Sequence, residues 1–279
     1  MRVVSTEVFP GANLLIDGQI PRGIYLLTGP SGAGKTVFCK TFIAGGLSNG
    51  EPGVYLSTDD DCKGIQSSIR KLVEDQNGGS RDLRIVDAYS WRVHNVTSGG
   101  PFTSVNPSNL TSVMIACQKV CQDMSKPRFV LDSITNLAIL SSAETTLNFL
   151  QMVTAKMRSL NALAFFTLIP TSHDSKFVST VKTMFDGVFE MRLEDVGAEI
   201  TRMFRVFSIK GVNHQTRWLT FSLSDKGISI IQENTPRCAW CGGVIPYESQ
   251  KETINGRVYT FHATACSDCF KRRIAAEIL

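Results

Sequence analysis

The chain has 279 residues, of which 43% are hydrophobic and 19% are charged. This composition excludes intrinsic disorder, which requires low hydrophobicity and high charge. The longest apolar stretches, such as 163–169, fall short of the ~20 residues that a membrane-spanning helix needs, and the first residues contain no apolar run of signal-peptide length. We therefore expect a globular, cytoplasmic protein without a membrane segment.

The net charge of +4 and the pI of about 8.6 are mildly basic. Domains that bind nucleic acid often have a pI above ~9 with clustered lysines and arginines, so charge alone neither requires nor excludes such a partner. The length favours one large domain with a small appendage. A shift in composition at 233–236 predicts a division into domains at 1–232 and 237–279.

Short apolar segments alternate with helical patterns through most of the larger domain, which is typical of a parallel sheet covered by helices on both faces. The predicted strands are 24–28, 54–57, 84–87, 129–131 and 164–168, and the predicted helices are 37–47, 65–72, 110–124 and 145–157. Closely spaced strands at 188–192, 203–209 and 218–224 then predict an antiparallel extension of the sheet. The segment 96–109 is rich in Ser, Asn and Pro and is predicted to be a long loop.

A phosphate-binding motif lies between the first predicted strand and the first predicted helix. It matches the pattern G-x-x-x-x-G-K-[ST], and its residues are Gly29, Pro30, Ser31, Gly32, Ala33, Gly34, Lys35 and Thr36. Glycines in such a loop allow backbone amides to converge on phosphate oxygens, and the following helix adds its positive dipole end. Lys35 is predicted to neutralise the β and γ phosphates of ATP, and the Thr36 hydroxyl to bind Mg²⁺.

Aspartates follow two predicted strands. Asp132 comes directly after three apolar residues and is predicted to be the second Mg²⁺ ligand, although it could instead cap the next helix. Asp59 and Asp60 follow the second strand, where a carboxylate could polarise the water that attacks the γ-phosphate. The alternative for this pair is that it caps the following helix, as Asp61 is expected to do.

These motifs, in this order, resemble the KaiC-like branch of the RecA ATPases, and the similarity extends over residues 8–231. The resemblance also includes segments around the motifs, at 18–23, 54–58, 86–90, 132–135, 185–188 and 210–214. It implies a RecA-like α/β P-loop fold. It also implies that ATP binds between adjacent subunits of a homo-oligomeric ring, usually a hexamer.

The resemblance assigns a catalytic role to Asp59 and Asp60, because the family typically has glutamates there that promote hydrolysis. An aspartate is one methylene shorter than a glutamate. A misplacement of ~1 Å can lower a rate by ~10²-fold. The resemblance therefore implies that hydrolysis of ATP by this chain is slow or absent.

The family that the chain resembles also tends to carry a Lys-x-Arg-Gly segment, which reaches the γ-phosphate bound by the neighbouring subunit. This chain has Ser208, Ile209, Lys210 and Gly211 at the matching positions. Lys210 keeps one cation but cannot form the bidentate contact of an arginine. We therefore expect weakened activation across the interface, and the alternative is that Lys210 is an ordinary surface charge.

Four cysteines near the C-terminus form two C-x-x-C pairs, Cys238 with Cys241 and Cys266 with Cys269, with 24 residues between the pairs. Two thiolates from each pair suit one tetrahedral Zn²⁺, and a module this short scarcely folds without a metal. A structural zinc site is the prediction. A redox dithiol is the alternative for either pair, and His262 is an alternative ligand.

The predicted zinc module resembles a treble clef. Its predicted hairpin has strands at 244–245 and 258–261 with a turn at Asn255 and Gly256, and a helix follows over 266–274. Three basic residues on that helix could contact phosphate or an acidic protein surface, although a solvated helix face is the alternative. They are Lys271, Arg272 and Arg273.

Together these features predict an ATP-dependent regulatory switch that hydrolyses ATP slowly if at all and recruits a protein partner through its zinc module. An accessory of DNA recombination or repair is the second hypothesis. The segment 96–109 contains Phe102 but no Lys or Arg, which counts against phosphate contacts by that loop. A self-phosphorylating kinase is disfavoured, because KaiC relatives of that kind pair two ATPase domains.

Overall fold

The computed structural model describes residues 15, 16, 20–74, 82–93, 100–196, 199–231, 238–241, 250–261 and 263–277. Most of these residues belong to one α/β unit. Its strands are β1 (Ile24–Thr28), β2 (Gly53–Ser57), β3 (Leu83–Asp87), β4 (Phe102–Ser104), β5 (Arg128–Asp132), β6 (Leu163–Leu168), β7 (Gly187–Val196), β8 (Glu199–Ile209), β9 (Leu219–Ser224) and β10 (Gly227–Ile231). Its helices are α1 (Lys35–Ser48), α2 (Cys62–Glu74), α3 (Leu110–Val120), α4 (Ile134–Leu140), α5 (Ala143–Ser159) and α6 (Ser175–Thr183).

The strands form a single ten-stranded sheet in the order β10-β9-β8-β7-β1-β6-β5-β2-β3-β4. Neighbours from β7 to β4 in this order run parallel, whereas β7, β8, β9 and β10 pair antiparallel. The predicted fold class, a mainly parallel sheet with an antiparallel extension, is confirmed.

Helices cover both faces of the parallel strands. The apolar side chains of α1 and α2 join one core cluster, and those of α3, α4, α5 and α6 join the other. Phe165 on β6 anchors the first cluster, with its ring centroid 5.0 Å from that of Phe38 and 5.2 Å from that of Phe189. The next residue, Phe166, belongs to the second cluster, because successive side chains of a strand point to opposite faces.

The segment 96–109 was predicted to be a long loop, and within its described part this prediction is wrong at 102–104. Phe102–Ser104 form β4, which pairs in parallel with β3 at the edge of the sheet. A strand of three residues is too short to show an alternating pattern, so composition alone misassigned it. The short helices α4 and α6 were likewise not predicted, although Phe177 and Val181 in α6 have the helical i, i+4 spacing.

An ion pair between a buried arginine and a partly buried glutamate stabilises the starts of the parallel strands, at the end of the sheet opposite the phosphate-binding motif. Arg128, which is only 1% exposed, donates to the carboxylate of Glu51 and to the Phe42 carbonyl. Glu51 also accepts from Arg22. The side chain of Arg128 passes directly under α1 at Gly46, where an added Cβ would lie 2.2 Å from Arg128 Cδ. Only glycine allows this close approach of the helix.

The C-terminal described residues form a β-hairpin and a helix: β11 (Gln250–Ile254), β12 (Arg257–Phe261) and α7 (Thr264–Glu277). The rings of Tyr259 and Phe261 pack against Phe270, with centroid distances of 4.8 and 5.4 Å. The turn at Asn255 and Gly256 was predicted correctly, but the strand that pairs with β12 is 250–254. The predicted strand at 244–245 and the domain boundary at 233–236 lie outside the described residues.

None of the helices within the described ranges combines the length and the apolar character that crossing a bilayer requires.

We expect Gly46→Ala to lower the free energy of unfolding by about 1–3 kcal/mol, the usual cost of overpacking a core. The same change should cost almost nothing in an Arg128→Ala background, because the side chain that the new methyl group meets is then gone. Urea unfolding of the four proteins of this cycle measures the coupling between the two sites. An equal cost of Gly46→Ala in both backgrounds would contradict the contact.

Candidate functional site

The phosphate-binding motif connects the end of β1 to the start of α1. Gly34 is the N-cap residue of α1 and has a left-handed backbone, with φ of 100°. A residue other than glycine is strained in that conformation. Since Gly34 has no side chain, it cannot cap the amides of the first helical turn, and these amides remain suited to an anion.

Lys35 places its ammonium group inside the loop. The residue is 8% exposed, and its Nζ donates to the carbonyl oxygens of Gly29 and Pro30, at 2.8 Å each. Burial lowers the pKa of Lys35, while the carboxylate of Asp132 opposes this effect. A phosphate oxygen is a stronger partner for this cation than a carbonyl, so the ammonium group is well placed to bind phosphate.

Asp132 at the end of β5 accepts hydrogen bonds from three hydroxyl groups. Thr36 Oγ1 and Tyr55 OH each lie 2.8 Å from Asp132 Oδ2, and Thr167 Oγ1 lies 2.6 Å from Oδ1. The N-cap of the next helix is Ser133. Asp132 therefore does not cap that helix, which was the alternative role for this residue. Asp132 faces the phosphate-binding loop.

The oxygens of Thr36 and Asp132 fit the requirements of Mg²⁺. This cation prefers oxygen ligands at ~2.1 Å in an octahedron, which places adjacent ligand atoms ~3.0 Å apart. The separation of Thr36 Oγ1 and Asp132 Oδ2 is 2.8 Å. These two residues could therefore hold Mg²⁺ after a shift of a few tenths of an ångström.

The structure gives different surroundings to the two acidic candidates that follow β2. Asp59 lines the pocket, and its carboxylate accepts from Ser133 Oγ at 3.2 Å and from the side-chain amide of Asn136. Burial, and secondly the charge of Asp132, raise the pKa of Asp59 to about 6. Asp60 instead forms an ion pair with Lys40 at 3.1 Å, with its side chain 50% exposed.

The neighbouring Asp61 has the structural role expected from the sequence. Its Oδ1 accepts from the backbone amide of Gly64 at 2.9 Å, in the first turn of α2.

The pocket around the loop has a volume of about 310 Å³. Most of its lining comes from predicted site residues, but Ile169 after β6 and Leu223 on β9 also line it. Arg202 on β8 contacts the same loop, with its Nε 3.4 Å from the Gly32 carbonyl oxygen. Sequence reasoning missed these three residues, because no motif connects them to the loop and only the order of the strands brings them there.

Lys210 lies far from the pocket of its own chain. It follows β8, whose last residue Ile209 pairs with Gly187 at the start of β7. Gly187 in turn lies beside Tyr25 near the start of β1, whereas the phosphate-binding loop follows the end of that strand. Lys210 therefore lies at the strand ends that are opposite to the phosphate-binding loop, and its side chain is exposed.

A second candidate site is a cluster of cysteines in the C-terminal unit. The sulfur atoms of Cys238, Cys241 and Cys266 all lie within 4.8 Å of one another. Four thiolates around Zn²⁺ at ~2.3 Å place the sulfur atoms ~3.8 Å apart, so the cluster fits that ion. Cys269 follows Cys266 by one helical turn in α7, and the alternative ligand His262 lies outside the described residues.

The three basic residues of α7 were predicted to contact a phosphate or an acidic surface. Lys271 forms an ion pair with Glu252 on β11, so within the described residues this lysine helps to attach the helix to the hairpin.

The fold and the loop together define the class of this protein. A phosphate-binding loop between β1 and α1, a carboxylate at the end of β5 and a parallel sheet with an antiparallel extension characterise a P-loop ATPase domain of the RecA type. A family profile described as the KaiC ATPase matches residues 7–235. The chain therefore belongs to the KaiC ATPase family.

The chain is also similar to other proteins over most of its length. A UPF0273 protein of Methanopyrus kandleri is 26% identical over 238 residues, which cover 82% of this chain and 92% of that protein. A UPF0273 protein of Thermotoga maritima is 25% identical over 228 residues, covering 79% and 93%. The crystal structure of a KaiC-like protein from Pyrococcus horikoshii matches with a TM-score of 0.62 and 19% identity, over 80% of this chain and 96% of that one. That last similarity shows the fold alone.

Removal of one hydroxyl group tests how strongly the buried carboxylate of Asp132 is held. We expect Tyr55→Phe to lower the free energy of unfolding by about 2 kcal/mol, because a hydrogen bond to a charged group is lost. Tyr25→Phe is the matched control, since that hydroxyl donates to the neutral Pro21 carbonyl at 2.7 Å, and it should cost about 1 kcal/mol. Equal losses in urea unfolding would indicate that the contact with Asp132 has no special strength.

Proposed function

We propose that this chain binds ATP with Mg²⁺ at the phosphate-binding loop, hydrolyses it slowly, and acts as a nucleotide-dependent switch. One observation carries the proposal: Lys35, Thr36 and Asp132 converge on one pocket at the start of α1. Membership of the KaiC ATPase family supports the binding of a nucleotide at this site. The backbone amides from 29 to 36 would hold the phosphate chain, as they do in other P-loops.

Four residues of the pocket have distinct roles in this proposal. Lys35 leaves the carbonyl groups of Gly29 and Pro30 and neutralises the β and γ phosphates. Thr36 and Asp132 would hold Mg²⁺, which would supply charge neutralisation at the phosphate oxygens. Asp59 accepts a hydrogen bond from the water that attacks the γ-phosphate, since it is the acidic candidate after β2 that lines the pocket.

Slow hydrolysis follows from the surroundings of Asp59. Its carboxylate already accepts hydrogen bonds from Ser133 and Asn136, and it is one methylene shorter than a glutamate. A carboxylate that is already hydrogen-bonded and is held short of the attacking water polarises that water poorly.

The switch requires that ATP and ADP stabilise different states of the protein. We propose that the two states differ in assembly. Lys210 cannot reach the pocket of its own chain, because it lies at the opposite ends of the strands. Any γ-phosphate that Lys210 contacts therefore has to be bound by another copy. Such contacts suit a closed ring, because head-to-tail interfaces close when the rotation permits, and a hexamer is the size that the family resemblance implies.

A matched pair of variants tests the catalytic role. We expect Asp59→Asn to lower single-turnover hydrolysis of bound ATP by at least tenfold while ATP affinity changes little, since the general-base contribution is typically ~10²-fold or more. Asp60→Asn should leave the rate within about twofold, because this residue faces Lys40 rather than the pocket. Equal effects of the two changes would remove Asp59 from the proposed mechanism.

Measurements on the unchanged protein and on Lys35→Ala test the assembly proposal. Light scattering should show ATP-dependent assembly that is lost in Lys35→Ala, together with slow turnover that single-stranded DNA does not change. Strong stimulation of turnover by DNA, with growth of filaments, would instead establish the recombination or repair function.

We further propose that the cysteine cluster binds one structural Zn²⁺ and that the zinc module recruits a protein partner. The three thiols within 4.8 Å support the metal site, and Cys269 is the proposed fourth ligand. The aromatic cluster of this unit is small, so a metal would supply the stability that its core lacks. Bound Zn²⁺ would cross-link the segment around Cys238 to α7.

Metal analysis of the purified full chain tests this site. We expect about one zinc per chain, and loss of most of it in Cys266→Ser, with ATP binding retained. Asp268→Asn is the matched control, because Asp268 is an exposed acidic residue between two proposed ligands in α7. A zinc content that Cys266→Ser leaves unchanged would exclude the cluster as the site.

A further inference from the structure

The side chain of Asn136 contacts the carboxylate that is proposed to polarise the attacking water. Its Nδ2 donates to Asp59 Oδ1 and also lies 3.4 Å from the Thr58 carbonyl oxygen. Both partners are acceptors, so the NH₂ group of the amide has to face them. Ser133 Oγ donates to the other carboxylate oxygen, Asp59 Oδ2, at 3.2 Å. The two oxygens of Asp59 are therefore held by two residues of one segment.

That segment, which consists of the N-cap and first turn of α4, is a fixed base for the two donors. Ile134 and Leu137, which lie on either side of Asn136 in the helix, are completely buried. Thr135 Oγ1 accepts from the backbone amide of Ile169 at 2.9 Å, which attaches the same turn to the segment after β6. The turn is thus anchored by the core and by a neighbouring strand end, and it cannot follow the aspartate carboxylate when that group rotates.

Donors on both oxygens limit the orientation of the Asp59 carboxylate. The last side-chain torsion of an aspartate is broad, so a carboxylate without such partners turns easily toward a new donor. An ionised carboxylate has about four acceptor sites, and a water can still use those that remain. The direction of these remaining sites is set by α4 and not by the position of the water, however, and polarisation of the water requires a close and aligned contact.

We propose that Asn136 is a positioning residue that restrains Asp59 and thereby keeps the hydrolysis of ATP slow. This inference rests on the hydrolysis proposed above and adds a residue that regulates its rate. The residues that line the pocket include Asp59 but not Asn136, so Asn136 acts on the reaction through Asp59. A displacement of α4 that separates the two side chains would accordingly shorten the lifetime of the ATP-bound state.

Single-turnover hydrolysis of ATP by the full chain tests the restraint. We expect Asn136→Ala to raise the rate by about tenfold, the order of magnitude that one hydrogen bond to a charged group is worth. The Kd of ATP should stay within about twofold of that of the unchanged protein, because the phosphate-binding loop is not altered. A merely structural role of Asn136 would not produce a faster enzyme.

Two further variants serve as controls. In an Asp59→Asn background, Asn136→Ala should give no acceleration, because the carboxylate that it releases is then absent. Asn148→Ala is the matched control for the loss of an amide, since Asn148 is an exposed asparagine on the neighbouring helix α5, and it should leave the rate unchanged.

The possible outcomes separate this inference from the proposed function. If turnover depends on Lys35 and Asp59 but Asn136→Ala does not raise it, the restraint is refuted and the proposed function stands. A lower rate in Asn136→Ala would also refute the restraint, since Asn136 would then orient Asp59 for catalysis. An acceleration that persists in the Asp59→Asn background would refute it as well. Normal turnover in Lys35→Ala or in Asp59→Asn alone would instead contradict the proposed function itself.

Discussion

The hydroxyl groups that donate to Asp132 connect the end of β5 to β2, to β6 and to the first turn of α1 through Tyr55, Thr167 and Thr36. A carboxylate that is only 4% exposed is costly unless its oxygens are hydrogen-bonded. This requirement fixes three strands and the helix relative to one another. The distance between the oxygens that suit Mg²⁺ is thereby set by the fold, before any ligand arrives.

The opposite side of the loop is held just as closely by the antiparallel extension. At Gly29 an added Cβ would lie 2.7 Å from the backbone oxygen of Met191 on β7, so the loop runs in van der Waals contact with that strand. The pocket consequently has two unlike ends. Asp59 and Asp132 provide carboxylates at one end, while at the other end Leu223 on β9 provides an aliphatic side chain. A single chain supplies both ends.

Much of the architecture could be predicted from the sequence, because buried parallel strands are short apolar runs and the phosphate-binding motif carries its own spacing. The cysteine pairs could also be recognised from their spacing, and three of the four thiols lie close together as expected. The rest could not be predicted for physical reasons. Strand β4 is too short to have a period, and the partners of Asp60 and Asp59 depend on side-chain orientations that two adjacent aspartates do not reveal. Arg202 and Leu223 reach the loop through strand order, which no local pattern encodes.

The contacts of Asp59 bear on the proposed switching function. Ser133 and Asn136 belong to the start of α4 and its N-cap, directly after Asp132. If Asp59 polarises the attacking water as proposed, that water joins or replaces these donors at the carboxylate, and a changed contact with Ser133 or Asn136 would reach the segment that follows the proposed Mg²⁺ ligand. Hydrolysis and a rearrangement near α4 would then be linked steps. An ATP-bound state in which Asp59 keeps its donors would be long-lived, and a long-lived ATP state is what a switch requires and what a rapid ATPase avoids.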